Sequence, residues 1–169
     1  MRIREARAAE TEAIRRVHRA SIEELGPAAY SPEQVTAWAA GCESADYAAT
    51  IESDDGCFVV AERDGQLLGF GSLSFDSPEE YEASADAEVT AVYVHPSATR
   101  EGTGTELLAT LERVARGRGV GTLGLSASHN ALGFYEGHGY ERVGTYEHEF
   151  SSDEATGVTG EIVEMSKDL

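Results

Sequence analysis

Apolar residues recur along the chain with two periods, and the switches between them mark the elements. Residues 3–6 form a short extended run. Ile14, Val17, His18, Ile22 and Leu25 then repeat at three- and four-residue steps, which predicts a helix over about 10–25. Gly26-Pro27 ends it. Ser31 is a good N-cap, Pro32 suits the first helical position and Gln34 completes a capping box, so a second helix starts there. Gly41 is its expected stop, and residues 44–51 add a short helical turn.

From residue 57 the pattern becomes extended. Residues 57–62 and 67–75 read as strands joined by the Asp64-Gly65 pair of a tight hairpin. Residues 76–87 are a polar, acidic loop. Val89, Val92, Tyr93 and Val94 make 88–94 a strand, closed by His95-Pro96. Leu107, Leu108, Leu111, Val114 and Ala115 line one face of a helix over about 104–116. The glycine run 117–121 reads as a connecting loop. A buried strand (122–126), a short helix (130–137) and two last strands (140–150 and 161–166) follow, the strands joined by a polar turn. The order β-α-α-β-β-β-α-β-α-β-β is that of a mixed α/β (α+β) protein. No repeat or linker interrupts residues 1–169, which read as one domain.

Composition narrows the function classes. Hydrophobic residues make up 41% of the chain, enough for a core and against global disorder. No apolar run approaches the roughly 20 residues of a membrane span, and no signal-peptide core opens the chain. A cytoplasmic protein without membrane attachment is expected. Asp and Glu number 31 against 13 Lys and Arg, a formal charge of −18, and Lys167 is the sole lysine. Such a surface repels nucleic-acid phosphates. It also resembles the acid-rich, lysine-poor surfaces of halophilic proteins, whose self-repulsion is screened by salt. Cys42 and Cys57 show no metal-ligand spacing and the five histidines are scattered, so no metal site is assigned. Oligomeric state is not fixed, and a homodimer is compatible with the sequence.

Chemistry concentrates in residues 92–108. A strand ends, a turn with Gly102 and Gly104 follows, and an amphipathic helix begins. The first amides of a helix lack intrahelical partners and, with the helix dipole, form an anion site. Glycines let the backbone approach the anion. The turn is not a P-loop, lacking Gly-Lys-Ser/Thr, and not a Rossmann fingerprint, lacking GxGxxG spacing.

These residues resemble the core motif of the GNAT acyltransferase superfamily: a strand ending in Val-x-Pro, then Arg/Gln-x-x-Gly-x-Gly/Ala, then a helix. Val94-His95-Pro96 and Gly102-Thr103-Gly104 match it without a gap. Thr99 stands at the usual Arg/Gln position, with Arg100 one residue later. Residues 130–140, with Asn130, Phe134-Tyr135 and Gly139-Tyr140, look like the family's Asn…Phe-Tyr…Gly-Phe/Tyr segment. The resemblance implies a twisted, mostly antiparallel mixed sheet of about seven strands flanked by about four helices. It implies transfer of an acetyl or similar acyl group from acetyl-CoA (coenzyme A) to a primary amine, by direct attack in a ternary complex.

The same resemblance implies the site residues. The amides of Arg100, Glu101, Gly102, Thr103, Gly104 and Thr105 would hold the pyrophosphate, and Val92, Tyr93 and Val94 the pantetheine arm. Asn130 would contact coenzyme A, and Tyr135 would lie near its sulfur as general acid. Glu88, at the start of the central strand, is the candidate base acting through water; His95 is the weaker candidate and reads better as a turn residue. Trp38, Tyr30 and His18 are candidate pocket residues, although an aromatic on a helix face is more often a core residue. The acidic loop is a candidate attractor of cations, set against a surface that is acidic throughout. The acceptor, a small molecule or a peptide, stays open. So do two alternatives: a coenzyme-binding regulator without turnover, and an enzyme acting on protein N-termini or lysines.

Overall fold

A computed structural model describes residues 1–150 and 157–169. Among them lie seven strands and five α-helices. These are β1 (Arg2–Glu5), α1 (Thr11–Leu25), α2 (Pro32–Ser44), α3 (Tyr47–Glu52), β2 (Gly56–Arg63), β3 (Gln66–Ser74) and β4 (Ala87–Val94) in the first half. They continue with α4 (Thr103–Gly117), β5 (Thr122–Ala127), α5 (Leu132–Gly137), β6 (Glu141–Glu149) and β7 (Thr159–Asp168). The strands form one sheet in the order β1-β2-β3-β4-β5-β7-β6, antiparallel except for the β4–β5 pair. This is the expected fold class, with one more helix than anticipated.

Local chemistry sets most boundaries. At α2, Gln34 N donates to Ser31 Oγ (3.2 Å) and Ser31 N donates to Gln34 Oε1 (2.9 Å), the reciprocal capping box. Asp64 (φ 52°) and Gly65 (φ 79°) turn the β2–β3 hairpin in the left-handed region. Gly41 does not end α2, which runs on to Ser44. A mid-helix glycine costs about 1 kcal/mol. Burying Cys42, which is fully enclosed in the next position, favours the longer helix. The α3 turn gains its own cap, Ala49 N donating to Asp46 Oδ1 (3.1 Å). The polar turn expected before the last strand falls largely on 151–156, outside the described residues.

Side chains alternate between the two faces of the sheet. Val59, Ala61, Val89, Leu123, Leu125, Val163 and Met165 pack under Leu107, Leu108 and Leu111 of α4. Each of these leucines is fully buried, worth about 1.5–3 kcal/mol. On the other face Phe58, Val60 and Phe70 pack against Ile14 and Val17 of α1 and Tyr47 of α3. Behind α4, buried Glu112 accepts from Tyr140 Oη (3.0 Å) and from Lys167 Nζ (2.9 and 3.1 Å).

Candidate active site

The sheet opens in its middle. β4 and β5 pair only at Ala87–Leu123, Glu88–Gly124 and Val89–Leu125, after which the two strands part. The cause sits at the branching point. β3 pairs Ser72 with Ala91 and Leu73 with Val89, so Thr90 is an extra residue on β4. Such a bulge bends its strand and sharpens the twist.

The parted strand exposes its own backbone. His95 N donates to Leu68 O (2.7 Å), which makes the residues paired with β3 His95, Tyr93 and Ala91. In an antiparallel ladder the alternate residues point their N–H and C=O the other way. Val92 and Val94 therefore aim their amides and carbonyls into the gap, where β5 is no longer present to take them.

One cleft of about 440 Å³ runs from this gap to the glycine turn. Val92, Tyr93, Val94, Thr99, Arg100, Gly104 and Asn130 line it, with Phe134 and the C-terminal end of α1 opposite. The turn is built from two left-handed residues, Arg100 (φ 63°) and Gly102 (φ 85°). The first helical bond of α4 is Glu106 N to Gly102 O (3.0 Å), so the amides of Thr103, Gly104 and Thr105 precede it without intrahelical partners. A Cβ on Gly104 would stand 3.3 Å from the Phe134 ring, so glycine allows the helix start to close against α5. Asn130 spends its Nδ2 on Leu25 O (2.7 Å), tying the α5 side of the cleft to the end of α1. Glu101 turns its side chain outward to Arg63 (3.2 Å), and Thr103 is buried, its hydroxyl near Ala98 O (3.4 Å).

A second cleft, of about 310 Å³, opens on the α1–α3 face of the sheet. It meets the first at Trp38, Val92, Tyr93, Ser128 and Ala131. Glu88 stands in it and accepts a hydrogen bond from Tyr81 Oη. Burial raises the Glu88 pKa above the usual carboxylate range, the Tyr81 bond opposes that rise, and nearby Glu80 adds to it. Tyr135 lines this cleft although α5 lies on the opposite face, so it reaches through the gap between β4 and β5. Its phenol pKa is raised by burial, which keeps it a proton donor, and its hydroxyl has no hydrogen-bond partner among the described residues. Tyr93 is likewise pushed up to about 12 by burial.

Other expectations fall differently. Trp38 lines both clefts, but Tyr30 and His18 line neither. Tyr30 is buried, donating to Glu161 O (2.8 Å) and accepting from His129 N (3.0 Å). His18 packs on Tyr93 (4.2 Å between ring centroids) with Nδ1 2.7 Å from Tyr47 Oη, and burial lowers its pKa to about 4. It is a neutral core residue because it faces the sheet from mid-α1. His95 is a turn residue: its Nδ1 accepts from Ser97 N (3.1 Å). In the acidic loop, Glu80 reaches the cleft, whereas Asp86 Oδ2 accepts the amides of Gly121 (2.9 Å) and Thr122 (3.0 Å). Sequence reasoning missed Tyr81, Ser126 and Tyr146. Tyr81 carried one faint signal, being the sole aromatic residue in an acidic loop.

Among the described residues there is no cluster of three metal-ligating side chains and no helix long and apolar enough to cross a membrane. The chain resembles known proteins over its whole length. A GCN5-related N-acetyltransferase from Rhodopseudomonas palustris, its structure described as "Aminotransferase, Class-II", is 26% identical, with a TM-score of 0.81 over 99% of this chain and 95% of that one. PaiA N-acetyltransferase from Thermoplasma acidophilum, solved in complex with coenzyme A, shares the fold at 22% identity and TM-score 0.77, over 99% and 98%. A streptothricin acetyltransferase described as putative, from Bacillus anthracis and in complex with acetyl coenzyme A, matches 73% of this chain and 68% of its own at 19% identity and TM-score 0.58. No curated protein matches the chain. Residues 19–140, which hold the glycine turn, the parted strands and Tyr135, match the model of the acetyltransferase (GNAT) family, and the chain belongs to that family.

Proposed function

We propose that the protein transfers the acetyl group of acetyl-CoA to the primary amine of a small cationic acceptor, by direct attack while both are bound. The observation that carries this reading is the meeting of the two clefts across Val92 and Tyr93. One offers main-chain donors for a phosphorylated arm; the other offers a carboxylate and aromatic walls.

The residues fit coenzyme A. The free amides at the start of α4 suit a pyrophosphate, each bond to a charged group being worth about 1.5–3 kcal/mol. The helix dipole adds about 0.3–1 kcal/mol. Several such bonds together outweigh any one side chain, which suits a chain with few cations. Val92 and Val94 suit the amides of an extended pantetheine arm, and Asn130 closes the cleft over it. When bound, acetyl-CoA supplies an acyl carbon already activated as a thioester.

The protein's groups divide the remaining work. Glu88 takes a proton from the ammonium, directly or through water, freeing the nitrogen lone pair. This matters most for an alkylamine, with pKa about 10.4, and less for an α-amine at about 7.7–8.0. A main-chain amide near Val94 polarises the carbonyl oxygen. As the N–C bond forms and the C–S bond breaks, Tyr135 would donate its hydroxyl proton to the leaving sulfur, and the proton shed by the acylated nitrogen would pass through solvent to restore the tyrosine hydroxyl. Because the base form of Glu88 is required, kcat/KM falls as pH drops through its raised pKa.

Release of free thiol from acetyl-CoA, followed across small amines, polyamines and peptides, tests the proposal. Turnover with one class of small amine is the expected outcome. Calorimetric binding of acetyl-CoA without thiol release would support the coenzyme-binding regulator. Labelled acetyl groups on lysate proteins, with no small-molecule turnover, would support a protein acceptor.

A further inference from the structure

We infer that Tyr81 is a positioning residue for the acceptor chemistry, its hydroxyl holding the Glu88 carboxylate ionised at the head of a hydroxyl chain through Ser126 and Tyr146. The inference rests on Glu88 being the base of the proposed reaction.

The chain of contacts is continuous. Tyr81 Oη donates to Glu88 Oε2, lies 2.9 Å from Ser126 Oγ, and Ser126 Oγ lies 2.5 Å from Tyr146 Oη. Four separate segments supply these groups: β4, the β3–β4 loop, β5 and β6. Tyr146 is 38% exposed, so the chain runs from the cleft to the surface.

Tyr81 is held in place independently of Glu88. Its ring lies against Gly124, where a Cβ would come within 3.0 Å of it, so glycine makes room for the aromatic. Just beyond it, Glu164 accepts the amides of Glu82 (2.7 Å) and Ala83 (3.0 Å). Glu164 is a buried carboxylate, and its bonds fix the loop to β7. Asp86 fixes the end of the loop to the start of β5. A loop tied down on this side presents the tyrosine at a set height over β4.

The consequence for Glu88 follows from charge. A hydroxyl donated to a carboxylate stabilises the ionised form. The other titratable groups around the cleft are Glu80 on the same loop, Tyr93 on β4, Tyr135 on α5, and Tyr146 and His148 on β6. Of these, Glu80 opposes ionisation of Glu88, and Tyr81 donates directly to it. Without Tyr81 the base would keep its proton to higher pH.

The test is an NMR titration of the full chain carrying carboxyl-labelled glutamate, with the Glu88 resonance assigned by its loss in Glu88→Gln. Tyr81→Phe keeps the ring on Gly124 and removes the hydroxyl. The Glu88 midpoint should rise by about one pH unit, the scale of a lost hydrogen bond to a charged group. Ser126→Ala, which leaves both Tyr81 and its packing intact, should raise it by less. It serves alone if Tyr81→Phe loses its near-UV circular dichroism. An unmoved midpoint in the folded variants overturns the inference, whatever happens to turnover. Glu88→Gln with wild-type thiol release would instead overturn the base assignment, and would leave the titration result standing.

Discussion

The two clefts that meet at β4 are built from different parts of the polypeptide. The glycine-turn cleft is a main-chain site: its donors are helix-start amides and the unpaired backbone of Val92 and Val94. The Glu88 cleft is a side-chain site, assembled from β4, β5, β6, α5 and the β3–β4 loop. The difference predicts how each responds to substitution. A backbone site fails when bulk enters it and tolerates loss of its own side chains. A side-chain site fails at single functional groups.

The largest effect should come from bulk. Gly104→Leu would drive a side chain into Phe134 and the cleft, and coenzyme A affinity measured by calorimetry should fall more than about 100-fold. Retained affinity would mean that the main-chain cradle lies elsewhere. Glu88→Gln should lower kcat about 10²–10³-fold, within the range of lost general-base help, while calorimetry shows coenzyme A bound as before. Tyr135→Phe should lower kcat about 10²-fold at most, because a thiol of pKa near 8.5 leaves partly unaided. A change in coenzyme affinity instead would move Tyr135 to the other cleft.

Salt separates the sites further. Near 1 M KCl the Debye length falls to about 3 Å, so attraction of a cationic amine by Glu80 and Glu88 weakens and its KM should rise several-fold. Coenzyme affinity, resting on enclosed amides, should move less. In the same titration the melting temperature should climb, since 31 acidic residues against 13 basic ones repel each other at low salt. A melting temperature indifferent to KCl would remove the halophilic reading. The smallest effect belongs to Glu101→Ala. It breaks an exposed pair with Arg63 worth about 0–1 kcal/mol and should leave coenzyme affinity within about twofold.

The same contrast explains what could be read from the sequence. Main-chain requirements show up as residue types at fixed spacing. Gly102 and Gly104 announced the turn, Ser31 and Gln34 the start of α2, and Asp64-Gly65 the hairpin. Glu88 was legible as a carboxylate at the head of the central strand. Tyr81, Ser126 and Tyr146 were not, because their meaning lies in a convergence that only the sheet order and the tethered loop create. His18 and Tyr30 could be read as core or pocket, with core the better reading, for the converse reason. An aromatic or imidazole on a helix face reads the same whether a cleft or a neighbouring ring lies beneath it. The run of α2 past Gly41 was hidden because burial of Cys42, a tertiary effect, outweighs a local glycine penalty.

The pairing of Lys167 with Glu112 has a consequence for a protein that handles acyl thioesters. Free ε-amines are the side chains such donors modify by simple encounter, and this sequence has one. That amine is mostly shielded, its Nζ donating to both carboxylate oxygens of buried Glu112. The chain thus offers its own reagent almost no competing nucleophile of that kind, and mass spectrometry after long incubation with acetyl-CoA should find Lys167 unmodified.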